Sequence, residues 1–280
     1  MTIAVTGAGG FVGTHVLRAL AQSHRGEEIV AVARRPILDL PAGVRHVTLN
    51  LAEARPADYV RIGSPDMLVH LAWGGLPHYL TLRHYEEELP LHYRFLRTMV
   101  EAGLPAMVVT GTCYEYGMVD GALSEDREPR PVNPYGYAKA ALHRQLRFLQ
   151  GERPFALTWA RLFYMWGEGQ AAGSLYPLLR AAAGRGDARF PMSRGEQLRD
   201  YLPVGEVARI IADLAYRCVD AGAVNVSSGM PVSVRGLVEW WIAEHGWTIV
   251  PEPGRYPYPT YEPLAFWGTT AKREALLRDG

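Results

Sequence analysis

Ile3-Ala4-Val5-Thr6-Gly7-Ala8-Gly9-Gly10-Phe11-Val12-Gly13 decides how this chain is read. An apolar run enters a glycine-rich turn, and a helical pattern, Thr14-His15-Val16-Leu17-Arg18-Ala19-Leu20, follows at once. Strand, turn and helix start in that order turn a common glycine spacing into a dinucleotide-binding signature. Gly7 permits the tight turn off the strand. Gly10 leaves room for a pyrophosphate against the backbone, and Gly13 lets the helix pack closely. The first helical residues, Phe11 and Val12 among them, then present free N–H groups and the positive end of the helix dipole to the phosphates.

Outward from that segment, apolar runs alternate with helical patterns. Strand-like runs follow at 29–33, 44–49, 67–71, 106–110 and 155–161, with helical stretches at 14–22, 85–102 and 135–150. Gly103-Leu104-Pro105 carries helix-stop chemistry, and Asn133-Pro134 starts the next helix. The alternation predicts an α/β protein with a Rossmann-type, doubly wound parallel sheet. After Arg161 glycine, proline and aromatic residues become frequent. A further helix is expected over 203–218 and a short strand over 223–227. Residues 1–165 with 202–228 are expected to form the dinucleotide-binding domain, and 166–201 with 229–280 a smaller, mixed substrate-binding cap.

Composition narrows the function classes. Lys+Arg and Asp+Glu each total 29, so the formal net charge is zero and no electrostatic grip on nucleic acid or an anionic membrane is expected. Cys113 and Cys218 do not read as a disulfide framework, which suits a reducing compartment. No basic region precedes the first apolar run, and no run approaches the ~20 residues that span a bilayer. A soluble, cytoplasmic protein is expected. His78, His84 and His92 lack metal-ligand spacing, so no metal is expected.

Tyr135-Gly136-Tyr137-Ala138-Lys139 sets a phenol and an ammonium on one helix face. A free phenol titrates near a pKa of about 10, and a nearby ammonium favours the phenolate. The pair therefore suits acid/base chemistry, although an ordinary helix face carries the same spacing. Thr112 stands where the run 106–110 leaves its strand, the edge at which parallel sheets bind ligands. It serves either a substrate oxygen or a turn.

Taken together, these segments resemble the extended short-chain dehydrogenase/reductase family, the NAD-dependent epimerase/dehydratase type that includes nucleotide-sugar epimerases, dehydratases and 4-ketoreductases. The marks are Thr6-Gly7-x-x-Gly10-x-x-Gly13, His70-Leu71-Ala72, Thr112…Tyr116-Gly117, Tyr135-x-x-x-Lys139, Arg161-Leu162-Phe163, Arg199-Asp200-Tyr201 and Val224-Asn225-Val226, in order along nearly the whole chain. The resemblance implies a catalytic triad of Thr112, Tyr135 and Lys139. Tyr135 is the implied acid/base, Lys139 lowers its pKa and holds the nicotinamide ribose, and Thr112 orients the carbonyl. Asn50 with Leu51, and Leu71, Ala72 and Trp73, fall on cofactor positions. Trp73, Thr112, Cys113, Tyr114, Tyr164 and Arg199 fall on substrate positions, with Arg199 meeting the diphosphate of a nucleotide sugar. A homodimer packed through 85–102 and 135–150 is implied as well.

The departures carry the finer reading. Arg34 and Arg35 stand after the second strand, where a carboxylate would favour NAD(H), so NADP(H) is expected. Glu27 and Glu28 precede that strand and are misplaced for the ribose. The dehydratases resemble one another in an acidic pair directly after the catalytic Thr, where this chain has Cys113 and Tyr114. Glu115 comes late for that role. Cys113 also lacks the spacing of an epimerising ketoreductase and reads as a packed small residue. Trp73 reads equally as a pocket wall or a core aromatic. Tyr164 replaces a common Asn, and Glu88 falls near a position that is commonly Asn. Tyr176, Arg194, Gln197 and Tyr258 are expected to shape the cap. The favoured activity is NADPH-dependent reduction of the 4-keto group of a nucleotide-linked 4-keto-6-deoxyhexose in deoxysugar biosynthesis. A C4 epimerase with bound NAD, a ketoreductase for a non-sugar carbonyl and a binding protein without turnover are the rivals.

Overall fold

The computed structural model describes residues 1–23 and 26–278. The strands are β1 (Thr2–Thr6), β2 (Glu28–Ala33), β3 (Val44–Thr48), β4 (Met67–His70), β5 (Ala106–Thr112), β6 (Gly121–Leu123), β7 (Ala156–Leu162), β8 (Tyr164–Trp166), β9 (Arg189–Pro191), β10 (Leu198–Pro203), β11 (Gly222–Val226), β12 (Pro231–Ser233), β13 (Val250–Glu252) and β14 (Phe266–Gly268). The helices are α1 (Phe11–Gln22), α2 (Pro56–Arg61), α3 (Leu89–Glu101), α4 (Pro134–Glu152), α5 (Leu175–Gly184), α6 (Val204–Arg217), α7 (Val234–Glu244) and α8 (Ala271–Arg278).

Seven strands form one parallel sheet in the order β11-β7-β5-β4-β1-β2-β3. Both faces are covered, which is why its strands read as continuous apolar runs. Alternating side chains of β1 divide the core. Ile3 and Val5 pack with Leu17 and Leu20 of α1 and Ile211 of α6, whereas Ala4 packs with Phe95 and Met99 of α3 and Leu142 and Leu146 of α4. Strand order reverses between β1 and β4, and the crevice at that switch point is where such sheets take ligands. The fold is the Rossmann-type doubly wound sheet with a smaller C-terminal part.

That smaller part is built from short pieces. β12, β10 and β8 form a mixed sheet, and β13 pairs with β9. Tyr176 and Leu179 of α5, Leu237, Val238 and Trp241 of α7, and Phe190 and Ile249 close its core. The sequence reading assigns no helix to 175–184 or 234–244. Both are short, and Gly, Pro and aromatic neighbours hide their period.

Two boundaries move in ways that matter. The helix expected over 85–102 is interrupted: His84–Glu88 forms a π-helical turn, and α3 starts at Leu89 with Pro90 in its first turn. Pro90 has no N–H to return to the preceding turn, and the chain there opens wider. β5 extends past Thr110, because Gly111 and Thr112 pair with Arg161 and Leu162 of β7. Thr112 is therefore the last residue of the strand, at its ligand-facing end. No helix among the described residues is long and apolar enough to cross a membrane.

Candidate active site

The glycine turn is built as a cradle. Gly7 has φ +69, and a Cβ there would lie 2.7 Å from the backbone nitrogen of Ala72, at the exit of β4. A Cβ on Gly13 would lie 2.2 Å from the Gly7 carbonyl, so the helix start seats directly on the turn. The Gly10 N–H closes that turn by donating to the Gly7 carbonyl at 2.9 Å. Gly10 caps α1 with no side chain, and the first turn holds no acidic residue. The amide donors of Phe11, Val12 and Gly13 thus open onto an uncapped, positive helix end, which fits the phosphates of a dinucleotide. Leu71 pins the neighbouring strand end by donating to the Thr6 carbonyl at 3.2 Å.

The other residues expected to meet the cofactor are placed as follows. Arg34 and Arg35 are exposed just beyond β2. The next acidic residue in the chain is Asp39. Asn50 caps the 3₁₀ turn Leu51–Glu53, accepting from Ala52 N–H at 3.3 Å and donating to Glu53 at 2.7 Å.

Tyr135 opens α4, whose N-terminus is capped by Asn133 accepting from Gly136 N–H at 2.8 Å. Its ring is enclosed by Trp73, Tyr79, His84 and Tyr114 at centroid distances of 6.2, 5.5, 5.1 and 6.3 Å. The Thr112 hydroxyl caps the turn after β5, accepting from Tyr114 N–H at 3.3 Å. Lys139, one helical turn on, is buried; its Nζ donates to the Thr110 carbonyl at 2.8 Å and stands 4.0 Å from the Trp73 ring centroid. The half-buried Trp73 is thus the roof over this ammonium, a cation–π contact.

The electrostatics differ from the sequence expectation. Burial among aromatic rings pushes the Tyr135 phenol above its ordinary range. Lys139 does not reverse the shift. Its Nζ faces a carbonyl and an indole and lies 5.9 Å from the Tyr135 ring centroid. Burial pushes the amine itself down to about 7, against the opposing pull of the Glu115 and Glu88 carboxylates.

Glu115 has a definite place in the fold. It is fully buried, accepts from Thr112 N–H at 2.8 Å and Trp159 Nε1–H at 2.9 Å, and pairs with the buried Arg161 at 2.9 Å. A Cβ on Gly111 would lie 2.2 Å from Trp159 Nε1, so glycine is required beside this pair. Arg161 covers the Tyr116 ring at 4.6 Å, and Tyr116 donates to Asn225 at 2.7 Å. Three of the sequence marks therefore form one buried strut under Thr112. Cys113 is buried with Phe163 and Phe266, and burial pushes its thiol up.

Tyr114, Tyr164 and Arg199 come together on the cap side. The two phenol oxygens are 3.4 Å apart, and the Arg199 guanidinium lies 5.7 Å from the Tyr164 ring centroid. A residue the sequence reading did not select sits among them. Glu262 accepts from Tyr114 at 2.6 Å and pairs with Arg199 at 2.8 Å. It lies in the aromatic, proline-rich stretch before β14, far along the chain, and no local spacing reveals it. Arg199 and Asp200 do not act as a pair. Asp200 accepts from the N–H groups of Ser228, Gly229 and Gly268 at 2.6, 2.9 and 3.3 Å and ties the loops together.

The cap residues divide. Tyr176 is buried in the core of the smaller C-terminal part and meets His245 at 3.1 Å, which removes it from the expected pocket lining. Arg194 is exposed. Gln197 donates to Ser193 at 3.3 Å, and Tyr258 donates to Glu196 at 3.0 Å. No group of three or more His, Cys, Asp or Glu among the described residues is placed to hold a metal ion.

Comparison with known proteins follows this geometry. The family model described as the NAD dependent epimerase/dehydratase family matches residues 3–226. A dTDP-6-deoxy-L-talose 4-dehydrogenase (NAD(+)) of Aggregatibacter actinomycetemcomitans is 28% identical over 274 residues, covering 96% of this chain and 99% of the relative. A GDP-6-deoxy-D-talose 4-dehydrogenase of the same organism is 25% identical over 240 residues, covering 84% of this chain and 76% of the relative. The solved structure of MoeE5 in complex with UDP-glucuronic acid and NAD superposes with a TM-score of 0.84 at 29% identity, covering 99% of this chain and 92% of that one.

Proposed function

The chain belongs to the NAD-dependent epimerase/dehydratase family, and on that premise we propose that it reduces the 4-keto group of a nucleotide-linked 4-keto-6-deoxyhexose. The observation that carries this reading is the meeting of α4 with the carboxyl end of β5, where buried Lys139 donates to the Thr110 carbonyl at 2.8 Å and the buried Tyr135 stands one helical turn before it. A dinucleotide held at the Gly7–Gly13 turn would supply the hydride for the ketone carbon. Thr112 holds the ketone oxygen, and the Tyr135 phenol, kept protonated by burial, gives it a proton as the alcohol forms. Elimination is disfavoured, because Glu115 is committed to Trp159 and Arg161. Two relatives are named as 4-dehydrogenases of 6-deoxytalose nucleotides, and oxidation at C4 is this reduction run backwards.

The substrate set is Trp73, Thr112, Cys113, Tyr114, Tyr164 and Arg199, with Arg199 receiving the diphosphate. Residues 166–201 and 229–280 make the cap. A homodimer belongs to the same reading, since Tyr85 of the π-helical turn and Tyr137 and Phe148 of α4 expose apolar surface. The cofactor rests on two opposing supports. The talose relative's name specifies NAD(+), the MoeE5 structure contains NAD and the family is described as NAD dependent, whereas the exposed Arg34–Arg35 pair, with no carboxylate at the end of β2, favours a 2′-phosphate. The reading takes NADPH.

Steady-state assay with dTDP- and GDP-4-keto-6-deoxyhexoses tests both parts. NADPH consumption is expected only with the keto sugar present, with kcat/KM at least about tenfold above that for NADH. Arg34→Ala and Arg35→Ala should erase the preference and spare NADH. A preference for NADH in the parent protein would overturn the NADP(H) assignment. Absence of turnover with either dinucleotide would overturn the reaction.

A further inference from the structure

Behind Trp73 the chain buries titratable groups that the reaction does not use. His70 ends β4, His92 lies on α3, and Glu88 closes the π-helical turn; all three are buried. Thr6 Oγ1 lies 2.8 Å from His70 Nδ1, His70 Nε2 lies 2.9 Å from His92 Nδ1, and His92 Nε2 lies 3.2 Å from Glu88. One proton arrangement satisfies every contact. The Thr6 hydroxyl donates to His70, His70 Nε2–H donates to His92, and His92 Nε2–H donates to Glu88. Every donor then runs towards one carboxylate, and both imidazoles are neutral. Burial holds both imidazoles below their ordinary range, and the His92 bond holds Glu88 down at about 2.

Packing ties this carboxylate to Lys139. Glu88 accepts from Gly74 N–H at 2.9 Å, and a Cβ on Gly74 would lie 2.2 Å from its Oε1. The adjacent Trp73 stacks on His92 at 4.7 Å and 14°, donates to His84 at 3.1 Å, and carries Lys139 Nζ over its ring. One side chain thus holds both the backbone beside the indole and the imidazole stacked on it. The groups facing Lys139 are Glu88 and His84 from the π-helical turn, His92 from α3, His70 from β4, Glu115 from the turn after β5, and Tyr135 from its own helix. Glu115 is paired with a buried arginine at 2.9 Å, whereas the cation nearest Glu88 is the half-exposed Arg83 at 3.3 Å.

We propose that Glu88 is a positioning residue for the ammonium of the active site: through Gly74, His92 and the Trp73 ring it fixes where Lys139 stands. This rests on the reading of Lys139 given above, but its test needs no substrate. The chain has two lysines, Lys139 and the exposed Lys272. Protein labelled with ¹³C,¹⁵N-lysine therefore gives two ammonium-bearing side chains to titrate by NMR, with Lys272 as the internal reference.

In Glu88→Gln the Lys139 midpoint is expected to fall by roughly one pH unit, with Lys272 unmoved. Glu88→Asp should restore most of the difference. Arg83→Gln, a surface change, should raise the midpoint by a few tenths of a unit by unmasking the carboxylate. It keeps the test open should the Gln variant fail to fold. A Lys139 midpoint unchanged in every folded variant would overturn the proposal, as would an Asp variant displaced as far as the Gln variant. If Lys139 shifts as expected but no keto sugar is reduced, the proposed function falls and this inference stands.

Discussion

Tyr135→Phe is expected to lower the rate of keto-sugar reduction by on the order of 10³-fold and to leave dinucleotide affinity within about threefold. The substitution removes one oxygen from a ring held by four aromatic neighbours, so the fold has no reason to move. Only the proton donor is lost. Burial pushes the phenol up, so the acid is in place across the physiological range and is not the group that titrates there. Lys139, held down at about 7, is that group in the ligand-free enzyme. The pH profile of kcat/KM should therefore fall as pH rises through about 7, where the ammonium loses its proton. Stopped-flow hydride transfer checks the rate, and fluorescence titration with NADPH checks the binding. A Phe variant with parental rate would remove Tyr135 from the chemistry and promote the reading of a binding protein without turnover.

Glu262→Gln carries the second large effect, and its sign is unusual. In the ligand-free structure Glu262 occupies Arg199 at 2.8 Å and Tyr114 at 2.6 Å, the side chains proposed to meet the substrate. A diphosphate and this carboxylate are like charges competing for one guanidinium, so Glu262 must leave Arg199 before a nucleotide sugar engages it. Removing its charge should lower KM for the sugar nucleotide by about tenfold, equivalent to ~1.4 kcal/mol. The ligand-free variant should be less stable by about 3 kcal/mol, since it leaves a buried arginine unpaired, and substrate should restore most of the loss. Thermal melts with and without UDP or dTDP sugars, alongside KM, read both effects. A raised KM would show that Glu262 holds substrate and does not compete with it.

The parts of this architecture written in local spacing were legible in the chain. The β1–Gly7–α1 unit, the alternation through β7 and the Tyr135–Lys139 helix face each depend on residues within a few positions of one another, and all are present, although the helix expected over 85–102 starts only at Leu89. What escaped depends on long-range packing. Glu262 reaches Tyr114 across 148 positions. Glu115 sits late for an elimination catalyst and proves to be the strut under Thr112, a role fixed by Trp159 and Arg161 on the next strand. The pKa expectation for Tyr135 failed because helical spacing places Lys139 on the same face but does not say where its Nζ points. The Thr110 carbonyl and Trp73 decide that. Asp200, next to Arg199 in the sequence, serves backbone amides of distant loops, because adjacent strand residues face opposite ways.

The central claim is net, cofactor-consuming hydride delivery to a sugar carbonyl, and isotope transfer reads it directly. The enzyme would be incubated with a nucleotide-linked 4-keto-6-deoxyhexose and nicotinamide dinucleotide deuterated at C4 of the reduced ring. The account predicts one deuterium at C4 of the product sugar for each dinucleotide oxidised. Conversion of a sugar nucleotide with no deuterium incorporated and no net dinucleotide oxidised would contradict it.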